Sequence, residues 1–266
     1  MASCIHRAPV IERAWWATAI LSVALSVAMP AAHAAELQVP VSIALRGPVA
    51  EVAAAFEKNS GHTVKMTTDA PGDIVAALQA GRHADVIVLT NGGLAELDGK
   101  GLVGRDRVPL AITGFGLATR SGDLAPDIST PDALRAVLLG ASKVIYNDPK
   151  NSPSGQLMLR IAELLGVAEQ IKTKSEVVAA GASLVTLAKD SSPGTVVALT
   201  VLTEVAGQQG VKLAGPLPKE LQMPLPYSAV LGAHPSDEVA SQAFLQALAS
   251  AGAKQAYAAA GFEVEK

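Results

Sequence analysis

Short apolar runs and amphipathic stretches alternate along most of this chain. Residues 85–89 form a brief, largely apolar block, the mark of a strand buried on both faces. Residues 37–44 and 63–68 also read as strands. Between and after them, 49–58, 72–80 and 94–100 place apolar residues at helical spacing, and the first two stop near Gly61 and Gly81. A βαβαβα order of this kind builds a parallel sheet with right-handed crossovers.

A second unit follows Val108. Residues 109–119 are a long β-compatible run broken by Gly114 and Gly116, Thr130 stands ready to cap a helix over 131–139, and 142–146 is a strand. A helix over 156–165, a β-like stretch at 176–178, a helix over 182–189 and a buried-type strand at 195–201 come next. After the loop Gly215-Pro216-Leu217-Pro218 there is one more strand, 226–231, and two closing helices, 237–249 and 252–260. No fixed-period repeat or low-complexity linker interrupts the order.

Two α/β units predict a bilobal fold with the ligand in an interlobe cleft. The first lobe is expected over 35–112, the second over 113–228, and the first again over 229–266. Ligands of open α/β sheets sit beyond the carboxyl ends of the strands. That rule selects the loops after Ala44, Thr68, Leu89, Tyr146 and Val178. The loop holding Arg82 and His83 precedes a strand and is expected at the opposite end, as solvated surface.

The first residues change the picture of where the protein works. Arg7 and Arg13 precede a mostly apolar run over 14–29, followed by Pro30 and Ala31-Ala32-His33-Ala34, an A-x-A cleavage pattern. The run is shorter than the roughly 20 residues a membrane span needs. Residues 1–34 therefore read as a signal peptide, with an uncleaved anchor as the alternative, and export to the periplasm is expected. The single cysteine, Cys4, lies inside that segment, so the mature chain is expected to have no disulfide and no thiolate chemistry. His62, His83 and His234 remain, far apart and without metal-ligand spacing, so no metal site is expected. The formal net charge is −3 with scattered Lys and Arg, which gives no basic stripe for nucleic acid.

Candidate chemistry gathers in the strand-to-helix turns. The richest is Asn147-Asp148-Pro149-Lys150-Asn151-Ser152-Pro153-Ser154-Gly155. Such a turn can present backbone N–H groups and the Ser152 and Ser154 hydroxyls at a helix start, a site for an anion; it also suits an ordinary helix cap. Arg46-Gly47-Pro48 follows the first strand. Arg46 is a natural bidentate partner for a carboxylate or a surface bridge between lobes, and Pro48 suits the first helical position. In Thr68-Asp69-Ala70-Pro71-Gly72, Asp69 either caps the helix or binds a hydroxyl or ammonium. Asn91 and Gly181 sit in two further turns of the same build. Five such turns on one cleft favour a collective site for a polar or anionic solute.

Catalytic constellations are scarce. There is no G-x-S-x-G elbow, P-loop or G-x-G-x-x-G. General acid–base work would fall to Asp69, Tyr146 or a carboxylate that the sequence does not place. That scarcity favours binding over turnover, and no cofactor is expected.

Ala80-Gly81 with Ala84-Asp85, Asp148-Pro149 with Pro153 and Gly155, Gly166, and the closing Gly261-Phe262 occur in an order that resembles periplasmic solute-binding proteins of the molybdate-binding type, across nearly the whole mature chain. Gly215-Pro216-Leu217-Pro218 with Glu220-Leu221-Gln222 resembles a divergent subgroup of them. The resemblance implies a type II periplasmic-binding-protein fold and a monomer that captures a small anionic ligand, for delivery to an inner-membrane ABC-type transporter. It departs from the family where molybdate would be held. An ungapped reading puts Ala44 at the first-loop serine, Ala70-Pro71-Gly72 at a serine run, and no tyrosine near 198–200. Arg46 in the first loop then suggests an organic carboxylate. Aconitate isomerases of some bacteria are similar to this group, which implies as an alternative a cis/trans-aconitate interconversion by allylic proton shift. Molybdate or tungstate binding by rebuilt loops is a further one.

Overall fold

The computed structural model describes residues 1, 2 and 34–264, so the signal peptide expected over 1–34 falls almost wholly outside the described residues. The first lobe opens with β1 (Glu36–Ser42), α1 (Arg46–Ser60), β2 (Thr63–Asp69), α2 (Pro71–Gln79), β3 (Val86–Thr90), α3 (Asn91–Asp98) and β4 (Val108–Thr113). The second holds β5 (Phe115–Arg120), α4 (Pro131–Gly140), β6 (Lys143–Asn147), α5 (Pro153–Leu164), α6 (Ala168–Lys172) and β7 (Ser175–Val178). It continues through α7 (Ser183–Lys189), β8 (Val196–Val201), α8 (Leu202–Val205) and β9 (Val211–Pro216). β10 (Leu225–Leu231), α9 (Glu238–Leu248) and α10 (Ala251–Ala259) return to the first lobe.

Each lobe is an α/β layer around a mixed five-stranded sheet, ordered β2-β1-β3-β10-β4 in the first and β7-β6-β8-β5-β9 in the second. β1, β2 and β3 run parallel, as the alternating pattern predicts, while β10 inserts antiparallel between β3 and β4. All five residues of β3 are buried, which explains its apolar run. Leu45, Val49, Phe56, Phe244 and Tyr257 cover one face of the first sheet, with Phe56 and Phe244 packed edge to face at 5.1 Å.

The long run expected over 109–119 is two strands in two sheets. The chain crosses at Gly114, where a side chain would collide with Gln222. Gln222 clamps this crossing: its Oε1 accepts the Phe115 N–H at 2.7 Å and its Nε2 donates to the Phe115 carbonyl at 2.9 Å. Since Gln222 itself lies on the return crossing, one side chain ties the two interlobe connections together. The lobe boundary expected after 228 falls inside β10, whose residues pair with the first sheet from Leu225 onward. β9 was not anticipated, because Gly215 and Pro216 read as loop; they sit on an edge strand, where a missing N–H is tolerated. α6 and α8 are short and carry too few residues for a readable period.

Candidate functional site

β1 ends two residues sooner than its sequence pattern suggests. A single 3-10 turn over Ile43–Leu45 carries the chain straight into α1, so Arg46 and Gly47 form the first turn of that helix and Pro48 is its third residue, not its first. A proline is tolerated there because the first turn's N–H groups have no intrahelical acceptor. The early end of β1 has a consequence: Ser42, not Ala44, is the last strand residue and faces the cleft. Ser42 is 1% exposed, and its hydroxyl has no hydrogen-bond partner among the described residues.

A small central chamber lies between the lobes, lined by Ser42, Ala70, Asn147, Ser152, Ser154, Glu204 and Tyr227 among others. On one side it shares Ile43, Gly181 and Glu204 with a larger chamber that also holds Arg46, Gly47, Thr203 and Gln208. The central chamber measures about 20 Å³ and the Arg46 chamber about 400 Å³. The first has room for about one water or a single carboxylate oxygen; the second suits a small organic acid. On the other side, Pro71, Asn91, Asn151, Ser152 and Pro226 line a further mouth. Here the lobes touch directly: Gly72 N–H donates to the Asn151 carbonyl at 3.1 Å, and Asn151 Nδ2 donates to Asp73 Oδ1 at 2.9 Å.

The helix starts around the two chambers present free backbone N–H groups. α1, α2 and α5 have no side-chain cap, whereas α3, α4, α9 and α10 are capped by Thr90, Thr130, Asp237 and Ser250. Ser152 stands at the cap position of α5, yet its hydroxyl meets Ser154 Oγ at 2.9 Å instead of the backbone. Asn147 Nδ2 donates to Ser154 Oγ at 3.2 Å, and Asn147 Oδ1 accepts the Ser183 N–H at 3.1 Å. The ordinary-cap reading of the Asn147–Gly155 turn therefore fails for its serines. Uncapped N-termini carry partial positive charge toward the chamber, and neutral hydroxyls and amides supply donors beside it.

Glu204 is the residue that sequence reasoning missed with the largest chemical consequence. It follows β8, which runs parallel to β6, so its loop emerges at the same cleft edge as the Asn147 turn. Applying the carboxyl-end rule to Val201 as well would have found it. Its Oε2 accepts the Thr200 hydroxyl at 3.3 Å, and it forms no ion pair among the described residues. Loss of solvent between the lobes pushes its carboxyl up to about 7, against the opposing effect of the Thr200 bond, although the residue keeps part of its surface open to the chambers. The Tyr227 phenol beside it is pushed well above the ordinary tyrosine range, first by burial and then by the Glu204 charge. Tyr227 enters from antiparallel β10, whose start is its cleft end, so a rule built on carboxyl ends points away from it.

The anticipated site residues do not all reach the chambers. Ala70, Asn147, Ser152, Ser154 and Gly181 line the central chamber; Arg46 and Gly47 line the larger one, and Asn91 the opposite mouth, where its Oδ1 accepts the Ser228 hydroxyl at 2.7 Å. Thr68 and Asp69 line none of these. Asp69 instead meets Arg82, which was expected to be free surface, at 3.4 Å, and it does not cap α2, whose cap position is Ala70. Gly155 packs so closely on Asn147 and Pro149 that any side chain would strike their backbone, so its role is packing. Tyr146, a candidate acid–base residue, is buried in the hydrophobic core. Arg46 is exposed and has no hydrogen bond or ion pair among the described residues. No cluster of metal-ligating side chains occurs among the described residues.

The family described as bacterial extracellular solute-binding protein matches residues 37–263. The chain belongs to that family. This solute-binding protein has the bilobal type II periplasmic-binding-protein fold, two α/β lobes around mixed five-stranded sheets. The periplasmic molybdate-binding protein of Azotobacter vinelandii superposes with a TM-score of 0.71 at 18% identity, covering 86% of this chain and 100% of that one. The substrate-binding domain of a putative molybdenum ABC transporter from Clostridium difficile gives 0.65 at 15% identity, covering 87% and 100%. An aconitate isomerase of Pseudomonas sp is 28% identical over 226 residues, 82% of this chain and 84% of that protein. The structural likenesses fix the fold of this solute-binding protein and leave its ligand to be argued from the cleft.

Proposed function

We propose that this chain is an exported periplasmic receptor that takes a small organic carboxylate into its interlobe cleft, for delivery to an ABC-type transporter. The observation that carries the reading is Arg46, an unpaired guanidinium at the wall of a 400 Å³ chamber that opens onto neutral donors, including the unpartnered Ser42 hydroxyl. Arg46 offers a planar fork for one carboxylate, and the donor wall receives the other end of the ligand. Tetrahedral oxyanions need no such cation when neutral donors surround them. A thermal-shift screen of molybdate, tungstate, sulfate and small di- and tricarboxylates tests this. Carboxylates should stabilise the protein, and Arg46→Ala should weaken their binding by about tenfold or more, the loss expected for a charge-assisted bond. Stabilisation by molybdate alone, unchanged in Arg46→Ala, would sink the assignment.

A second reading rests on Glu204 and on the relatedness to an aconitate isomerase. An ionised Glu204 would remove a proton from the CH₂ beside the double bond of an unsaturated tricarboxylate. The resulting allylic anion, held by Arg46 and the donor wall, would take the same proton back at the far carbon. The double bond moves, nothing is oxidised, and no cofactor is consumed. Incubating purified protein with trans-aconitate and separating the products by chromatography decides it: no cis isomer above the buffer control removes the enzyme reading and leaves the receptor.

A further inference from the structure

Glu204 poses a problem for any anion-binding cleft. It lies at the junction of the two chambers, and an anion that touches Arg46 and Ser42 must pass or contact it. Thr200 on its own strand-to-helix segment bonds to it and Tyr227 on β10 stands beside it, while Ser42 at the end of β1 and Arg46 at the start of α1 line the same two chambers with it. Thr200 and Ser42 are neutral, and Tyr227 stays a phenol through the physiological range. Arg46 is the only cation among those groups, and it makes no ion pair with Glu204. A negative ligand would therefore meet a carboxylate that has no compensating charge of its own.

We propose that Glu204 takes up one proton as the ligand enters and that its neutral carboxyl then donates a hydrogen bond to the ligand, so that the cleft captures an anion together with a proton. The proposal rests on the anion-capture reading above and narrows its substrate class. A carboxylate oxygen is basic enough to share that proton, whereas the oxygens of a fully ionised strong acid such as sulfate accept it poorly. The proton's balance is simple: it comes from solvent, resides on Glu204 Oε while the ligand is bound, and returns to solvent on release. Burial already brings the free carboxyl near neutrality. A second negative charge in the same cavity raises its proton affinity further, as two acidic groups do when they share one site.

The test is calorimetric titration of trans-aconitate into the protein at pH 8 in two buffers of different ionisation enthalpy. The wild type should take up close to one proton per ligand, and its Kd should rise by about tenfold per pH unit above pH 7. The ligand's own carboxyls ionise well below that range, so they contribute no uptake. Glu204→Gln keeps the shape and an N–H donor; it should show no proton uptake and a Kd that does not change from pH 6 to pH 9. Binding without proton uptake in the wild type overturns the proposal while leaving the receptor reading intact. Uptake that persists in Glu204→Gln also overturns it. Absence of binding at pH 6, where the proton is already in place, removes the polycarboxylate reading and the proposal with it.

Discussion

Replacing Ser42 by alanine should raise stability and lower affinity at once, a combination that a merely structural serine would not produce. The Ser42 hydroxyl is buried to 1% exposure, points into the central chamber and has no protein partner. The Tyr227 phenol lies close enough to interact with it, although no hydrogen bond of good geometry forms between them. An unsatisfied buried hydroxyl costs about 1–3 kcal/mol, and water entering the chamber moves this site toward the lower end. Ser42→Ala leaves the β1 backbone in place, so the ligand-free protein should gain about 1 kcal/mol, or about 2–4 °C in Tm for a chain of this size. A hydrogen bond to a charged ligand is worth about 1.5–3 kcal/mol, so carboxylate affinity should fall by about 10- to 150-fold. Thermal unfolding with and without trans-aconitate reads both effects from one sample. A variant that is less stable than the wild type and binds as well would show that Ser42 is a packing residue, and the chamber would lose its best donor.

Three further outcomes follow from the same geometry. Gly72→Val places a side chain against the Asn151 backbone, so the lobes should no longer meet there; small-angle scattering should show a larger radius of gyration and titration a weaker ligand, and an unchanged profile would refute the contact's role in closure. Asp85 is fully buried, and although burial works against its charge, N–H bonds from Gln38 and Ser236 and the contact with His83 hold its carboxyl below the ordinary range. A lowered native pKa contributes stability that is present above the unfolded-state value and lost as pH falls through the native one. Asp85→Asn should therefore cost about 2–3 kcal/mol at neutral pH, and its denaturant midpoint should fall less steeply with acid; a parallel acid profile would count against the network. Gly155→Ala should destabilise strongly without specifically altering ligand preference, since its neighbours are the Asn147 and Pro149 backbone; soluble, stable Gly155→Ala protein would contradict that packing.

The sheets were legible because their strands are chemically plain. β3 is buried on both faces and the parallel β6 and β8 share the same apolar signature, so period and length are enough. The crossings were legible only in part: Gly114 marked a break, but that its two sides belong to different sheets depends on Gln222, 108 residues later in the chain. The donor turn at Asn147 was visible because Pro, Ser and Gly cluster there. Ser42 was hidden by two apolar residues that extend the strand pattern past its true end. Tyr227 was hidden by the antiparallel insertion of β10, which no local signal reveals. Glu204 sits in a four-residue helix with no period to read, and its chemistry arises from burial, a property of the assembled lobes. Arg82 and Asp69 show the converse: side chains assigned by loop position to opposite ends of a sheet come within 3.4 Å of each other.

The most direct test of the account is a side-by-side calorimetric titration of trans-aconitate and molybdate at pH 7, on wild type and Arg46→Ala. The carboxylate should bind one to one, about tenfold or more weakly in the variant, with molybdate much the poorer ligand. Tight molybdate binding that ignores Arg46, with no heat from the carboxylate, would contradict it.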